Sequence, residues 1–408
     1  MFFRKTALAI LIILMVSCSG RREISQWRGP ERDGKYPQTG LLNQWPDHGP
    51  ALLWSYEGLG AGHGSVSIAF GQIFVLGMPD TMGVIYSFDM EGQLLWKKEY
   101  GAEWHANYTG PRSTPTIVDG LLYFVSGQGV AICMDRETGD ILWSIDMFER
   151  FGAQETLWGM AESPLLDGDR IIVTPGGVEH NVVALDRFTG ETIWTTAGNG
   201  DQSAYCSPIL VQHNDARLIV TMTAQSVLGI DADNGQTLWR IAHKQGNKIH
   251  ANTPVYDGGK VYCASAQADT TKGHVMIQLS EDGKRAEVGW RNEEWFNLLG
   301  GIILHEGSLY SSTFNKKEWY CIDAETGDLN YVSDQISGGA TVFADGLFYC
   351  YGTDGVLSLI EANKNECRVI SSYEVSLGTD QHWAHPVIHD GRLYVHHGNA
   401  LMCYNIAE

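Results

Sequence analysis

Short apolar or alternating segments follow one another along the chain, each ended by a polar turn, and no stretch carries apolar residues at helical spacing long enough for a long helix. Runs such as Ala51-Leu-Leu-Trp54-Ser-Tyr56, Asp390-Gly-Arg-Leu-Tyr-Val395 and Ala400-Leu-Met-Cys-Tyr404 read as strands. Two turn signals recur among them. In the first, Gly follows Asp by four residues and an aromatic follows it by eight: Asp135/Gly139/Trp143, Asp186/Gly190/Trp194, Asp231/Gly235/Trp239 and Asp323/Gly327/Tyr331. The Asp ends a strand, Gly supplies the positive φ of the turn, and the aromatic lies in the next strand. In the second, a turn residue is followed three positions later by a bulky strand residue. This signal occurs at Gly71, Gly120, Asp169, Ala216, Gly259, Gly307, Gly346 and Gly391, spaced 49, 49, 47, 43, 48, 39 and 45 residues apart.

Four short strands per unit at such a period describe the blade of a β-propeller. The spacing therefore predicts an all-β, eight-bladed propeller of four-stranded antiparallel blades. The last unit stops one strand short, after Tyr404. The segment Ala51–Tyr56, which carries Trp54, is expected to complete it and close the ring; the alternative is an extra edge strand. Two units depart from the pattern. The fifth places Ser280 in the Asp position with Trp290 ten residues on, and the seventh has Ile360 there and no Trp, so altered outer strands are expected in both.

The N-terminus adds a different signal. Arg4 and Lys5 precede an apolar run from Ala7 to Val16 that is too short for an ordinary membrane span. Met15-Val-Ser-Cys18 then resembles a bacterial lipobox, which implies cleavage before Cys18 and lipidation of its thiol; the alternative is a plain signal peptide with an unrelated Cys. The resulting organisation is a signal peptide at 1–17, an N-terminal extension at 18–50 and a single propeller domain at 51–408. The formal charge is −20, and −22 once Arg4 and Lys5 are removed, which argues against a nucleic-acid partner. Cys133, Cys321 and Cys403 share a slot that other units fill with Ser87, Ala184 and Gly229, so they are expected to be small buried packing residues. Cys350 and Cys367 fall in one unit and are the pair open to bridging.

The Asp-x-x-Thr-Gly-x-x-x-Trp units, with the opening Gln26-Trp-Arg-Gly-Pro-Glu-Arg-Asp-Gly34, Gly40-Leu-Leu and Trp45-Pro, resemble the PQQ-like (quinoprotein-type) propeller repeat family over about residues 26–405. That family includes PQQ-dependent alcohol and sugar-alcohol dehydrogenases and the non-catalytic BamB lipoproteins of the outer-membrane assembly machinery. The adjacent Cys-Cys pair common in the dehydrogenases and the haem-attachment motif Cys-x-x-Cys-His are both missing here.

Residues just before the first strand of each blade face the funnel mouth of a propeller. Aligning on Pro115, Pro164, Pro208, Pro254 and Pro386 gives the candidates His63, Arg112, Glu162, Tyr205, His250, Asn252, His382, Trp383 and His385. Convergent polar and aromatic groups suit a small-molecule or peptide site, but equally a network of mutual hydrogen bonds around the channel. Arg112 is a candidate carboxylate or phosphate clamp and Trp383 a stacking platform. His382 and His385, with Asp380, are not expected to hold a metal, because His-x-x-His on an extended strand points its rings to opposite faces. His396 and His397 alternate faces and read as surface or inter-strand residues. Trp104, His105 and Trp158 lie in longer loops before the second and third blades.

The BamB-like resemblance implies a lipid-anchored, non-catalytic binding or assembly scaffold of the bacterial cell envelope. It would need no cofactor and would meet envelope proteins, or a small ligand at the funnel. Ser19 in place of the Asp that retains many lipoproteins in the inner membrane points to the periplasmic face of the outer membrane. The alternative is a PQQ-dependent alcohol or sugar dehydrogenase with bound calcium and Glu162 as base. A third reading is a carbohydrate- or small-ligand-binding module without chemistry.

Overall fold

A computed structural model describes residues 23–243, 249–266, 273–314 and 316–408. Eight antiparallel sheets follow one another in chain order. Blades 1 to 7 begin at Ser67–Ala69, Thr116–Val118, Leu165–Asp167, Ile209–His213, Val255–Asp257, Ile303–His305 and Gly339–Ala344, and each runs through four consecutive strands. Blade 8 holds Val387–His389, Arg392–His397 and Ala400–Asn405, and Ala51–Glu57 pairs with the last of these as its outer strand. The expected closure by an N-terminal strand is what the register shows, with Trp54 opposite Cys403. Among the described residues the helical exception is one turn at Met147–Phe151, capped by the Asp146 carboxylate.

The repeat is explained by contacts between neighbouring blades. Each repeat Asp caps its own turn: Asp135 Oδ1 accepts from the amides of Glu137 (2.9 Å) and Thr138 (2.8 Å). The Trp of one blade then lies on the turn of the next. The indole N–H of Trp143 donates to the Arg187 carbonyl (3.0 Å), that of Trp194 to Ala232 (3.1 Å), that of Trp290 to Ala324 (3.1 Å) and that of Trp54 to Met90 (3.1 Å). The turn Gly is required twice over. Gly235 has φ +77°, and a Cβ there would come within 2.5 Å of the Trp194 ring. A β-bulge just before each Trp aims the ring onto the neighbour, as between Ile141 and Trp143.

Both irregular units do have altered outer strands, but the Asp position in each falls on a different residue from the one expected. In blade 5 Trp290 lies opposite Met276, so the Asp position belongs to Gln278 and not Ser280; the hairpin continues through Leu279↔Ala286 before turning. In blade 7 Tyr349 pairs with Leu359 and Leu359 with Ser371. Glu361 therefore holds the Asp position in place of Ile360, and Ser371 holds the Trp position. The missing ring comes from the extension. Trp45 is buried, its amide donates to Ser371 Oγ (2.9 Å), and its ring lies 6.0 Å from Tyr349, matching the 6.0 Å between Trp143 and Tyr123 in blade 2.

Cys133, Cys321 and Cys403 are buried in the packing slot, as expected. Cys350 and Cys367 are both free: Cys350 pairs opposite Ser358 and Cys367 opposite Ala362, four positions further along the same strand. His396 and His397 are inter-strand residues of blade 8, but both are buried and neither is on the surface. Cys18 lies outside the described residues.

Candidate functional site

The extension does more than supply Trp45. Ile24–Ser25 pairs with the first strand of blade 2, and Lys35 bridges to Phe343 in blade 7. Between these points residues 26–34 cross the channel. Trp27 Nε1 donates to Thr253 Oγ1 (2.9 Å) in front of blade 5. Arg28 Nη2 reaches the Ile302 carbonyl (2.8 Å) before blade 6, and Arg32 reaches the Ser163 (2.7 Å) and Pro164 (3.1 Å) carbonyls before blade 3. Both arginines are buried at positive φ, and burial pushes each guanidinium down to about 10. The charges of Asp33 and Glu162 act the other way, each favouring the protonated guanidinium of Arg28 and Arg32 respectively.

A ring of hydroxyls binds the inner ends of neighbouring blades. The Ser65 amide donates to Thr114 Oγ1 (3.0 Å), Thr114 to Ser163 Oγ (2.8 Å) and Ser163 to Ser207 Oγ (2.9 Å). At this end of the channel a cavity of about 270 Å³ remains. Its rim is aromatic: Tyr108 lies 4.9 Å from Trp383 and 6.4 Å from Trp158, Trp158 lies 6.0 Å from Tyr205, and Phe314 lies 6.2 Å from Trp383. Trp27 also lines the cavity, with its ring edge-to-face against His385 at 4.7 Å. Buried Glu103 holds the loop that presents Tyr108, accepting from Tyr100 Oη (2.7 Å) and from the amides of Trp104 (2.7 Å) and Gly127 (2.6 Å).

Five of the nine residues expected at the mouth line this cavity: His63, Arg112, Tyr205, Trp383 and His385. Four do not. Glu162 is buried behind the wall, where its Oε1 accepts from the Thr174 amide (2.6 Å), and burial raises its carboxyl to about 7. His250 packs against His243 at 5.1 Å. Asn252 ties blade 5 to blade 6 through the Asn297 carbonyl (2.8 Å) and the Gly301 amide (3.0 Å). His382 stacks on His397 at 3.8 Å and bonds Tyr351 Oη. The cause is the alternation of an extended chain. Ala161 and Ser163 line the cavity while Glu162 between them points away, and Ile249 and Ala251 do the same around His250.

Arg112 is on the wall but its guanidinium is committed to the loop, donating to the carbonyls of Gly110 (3.2 Å), Asn107 (3.3 Å) and Tyr108. Trp27, Tyr108 and Phe314 were absent from the sequence-derived set. For Trp27 the signal was present, as an aromatic beside two arginines in a segment outside the blades. Trp104 is buried in its loop, bonding the Asn107 carbonyl (2.9 Å).

The buried imidazoles make stability depend on pH. Burial pushes His63, His274 and His385 down to about 3 and His250 to about 4. Unfolded, each titrates near 6.5, so below that value the unfolded chain binds more protons. Stability is full above about pH 6.5 and lost below it, by up to about 1.4 kcal/mol per pH unit for each ring. Glu162 acts oppositely: its contribution is present below its unfolded value and lost as pH rises through about 7, offsetting one imidazole. Urea unfolding should show the midpoint falling between pH 6.5 and 5, less steeply in His250→Asn; a flat profile contradicts this.

Fold and cavity together define a closed eight-bladed propeller of the PQQ-like class, with its channel crossed by its own N-terminal segment. The chain belongs to the family described as outer membrane protein assembly factor BamB, whose model matches residues 81–331. It is 27% identical over 139 residues to the BamB assembly factor of Kangiella koreensis, covering 33% of this chain and 32% of that one. With that of Alteromonas naphthalenivorans it is 30% identical over 225 residues, covering 50% and 51%. The matches thus span about a third to a half of these relatives' length. Among solved structures, BamB from Moraxella catarrhalis superposes with a TM-score of 0.61 at 14% identity, covering 87% of this chain and 99% of that one. The quinohemoprotein alcohol dehydrogenase of Comamonas testosteroni gives 0.64 at 12% identity, covering 92% and 79%. At these identities the likeness is one of fold.

Proposed function

We propose that this chain is a lipid-anchored propeller of the cell envelope, on the periplasmic face of the outer membrane, that holds envelope proteins as a non-catalytic assembly scaffold. In this reading residues 1–17 are removed, Cys18 carries the lipid, residues 18–50 link anchor to ring and plug it, and residues 51–408 form the propeller. The family supports the scaffold role, and one observation of the cavity carries the choice against a dehydrogenase. Among the described residues its wall holds no carboxylate, and Glu162, the expected base, is turned into the protein against the Thr174 amide. Calcium takes oxygen ligands with carboxylates prominent among them, so the residues present do not fit a calcium–quinone pair.

The outer strands offer surface for partners. Leu53, Leu95, Leu142 and Ile193, each directly before the repeat Trp, are exposed. Titration of the purified soluble domain with PQQ and Ca²⁺, read by quinone absorbance and dye-linked alcohol oxidation, should show no saturable binding at micromolar quinone and no turnover. Tight binding with turnover overturns the scaffold reading. Cys18→Ala should move the protein from the membrane to the soluble fraction; retention in the membrane contradicts the anchor.

A further inference from the structure

We propose that the channel cavity is a binding site for a planar aromatic ring bearing one N–H or O–H donor, the chemistry of indole and phenol. The inference rests on the scaffold reading and gives that scaffold a specific recognition site. Three features of the cavity carry it.

The first is the rim. Tyr108, Trp158, Phe314 and Trp383 are half-exposed or exposed, and they stand in a chain of ring contacts between 4.9 and 6.4 Å around one opening. Such faces favour offset or edge-on contact with another ring.

The second is the acceptor. His385 is buried on the cavity wall, and its Nε2 lies 3.0 Å from the Leu299 carbonyl. A carbonyl only accepts, so Nε2 carries the proton. The ring is neutral, because burial and the nearby Arg28 keep a second proton off it. Its Nδ1 is therefore a bare acceptor, and it has no hydrogen-bond partner among the described residues. A buried unsatisfied acceptor favours a ligand that brings one donor.

The third feature excludes other ligands. Among the described residues no carboxylate on the wall favours a cation, and the one guanidinium there, Arg112, is spent on three loop carbonyls, so a polyanion gains little. A free pyranose would leave most of its hydroxyls unpaired against Ile249, Leu298 and the aromatic faces.

Such a ring has two sources, a free small molecule or a Trp or Tyr side chain of a partner polypeptide, and calorimetry on the soluble domain separates them. The first arm titrates indole and 1-methylindole. Indole should saturate, and 1-methylindole, which lacks the donor, should bind roughly tenfold more weakly. The second arm uses an extended peptide with a single central Trp; a partner side chain is the source if it binds at least about tenfold tighter than indole, and a free molecule otherwise.

In His385→Phe the preference for indole over 1-methylindole should vanish. In Trp383→Ala, on the rim and away from the Leu299 contact, both ligands should weaken by about tenfold or more. Equal binding of indole and 1-methylindole to the unsubstituted protein, or saturation by neither indole nor the peptide, overturns the proposal. If that happens while envelope partners are still captured, the scaffold reading stands and only the cavity assignment falls.

Discussion

Trp45→Ala should lower the free energy of unfolding by about 3–5 kcal/mol, as much as Trp194→Ala within the repeat. Trp194 is nearly fully buried, its indole N–H bonds the Ala232 carbonyl, and its ring covers Gly235 of the next blade. Its removal leaves a cavity at a blade junction and a carbonyl without its donor. Trp45 lies outside every blade, yet it fills the same position against Tyr349 that Trp143 fills against Tyr123. Blade 7 has Ser371 where the other blades carry an aromatic, so no second ring can move in. Urea denaturation followed by tryptophan fluorescence measures both variants. A loss under about 1 kcal/mol for Trp45→Ala would mean that the extension only drapes over the ring. Gly235→Val provides an independent check, since it meets both the positive φ and the Trp194 ring; it should destabilise on the same scale.

Arg32→Ala should cost about 2–4 kcal/mol, because it strands buried hydrogen-bond acceptors. The guanidinium donates to two adjacent carbonyls, of Ser163 and Pro164, and its charge favours the ionised form of buried Glu162. Truncation leaves both carbonyls without that donor and the carboxyl without its compensating charge. Arg32→Lys should rescue little, because one ammonium cannot reproduce the planar fork that spans two acceptors. The same variants should loosen residues 26–34, read as faster amide exchange there while the blade cores remain protected. Uniform loss of protection across all blades would instead make the crossing segment integral to the ring's cooperativity.

The blades were legible because their chemistry is local. An Asp that caps a turn, a Gly at positive φ and a Trp eight residues on leave a fixed spacing in the sequence. Legibility failed where the spacing rule met a change in hairpin length. The longer hairpin of blade 5 moved the Asp position to Gln278, and in blade 7 the residue read in that position was Ile360 where pairing gives Glu361. The substitution of Trp45 for a missing blade residue was invisible, because its partner Ser371 lies 326 positions away.

At the cavity the right segments were found, but not always the right residues. The stretches around Glu162 and His250 do reach the channel. Alternation then presents Ala161, Ser163, Ile249 and Ala251 and hides the charged or titratable residue between them. Selecting residues for chemical interest favoured those that burial had turned inward. Trp27 shows the converse: part of a family signature, it proves to be a wall of the site because residues 26–34 cross the channel.

In the function proposed above, this ring holds proteins and performs no chemistry. That function is tested by capture of the full-length chain from native envelopes after mild cross-linking, with the bound proteins quantified by mass spectrometry. Near-stoichiometric recovery of outer-membrane assembly proteins is expected, lost when the exposed Leu95 and Leu142 are changed to Asp. Recovery of the chain alone, together with a tightly bound quinone, would contradict it.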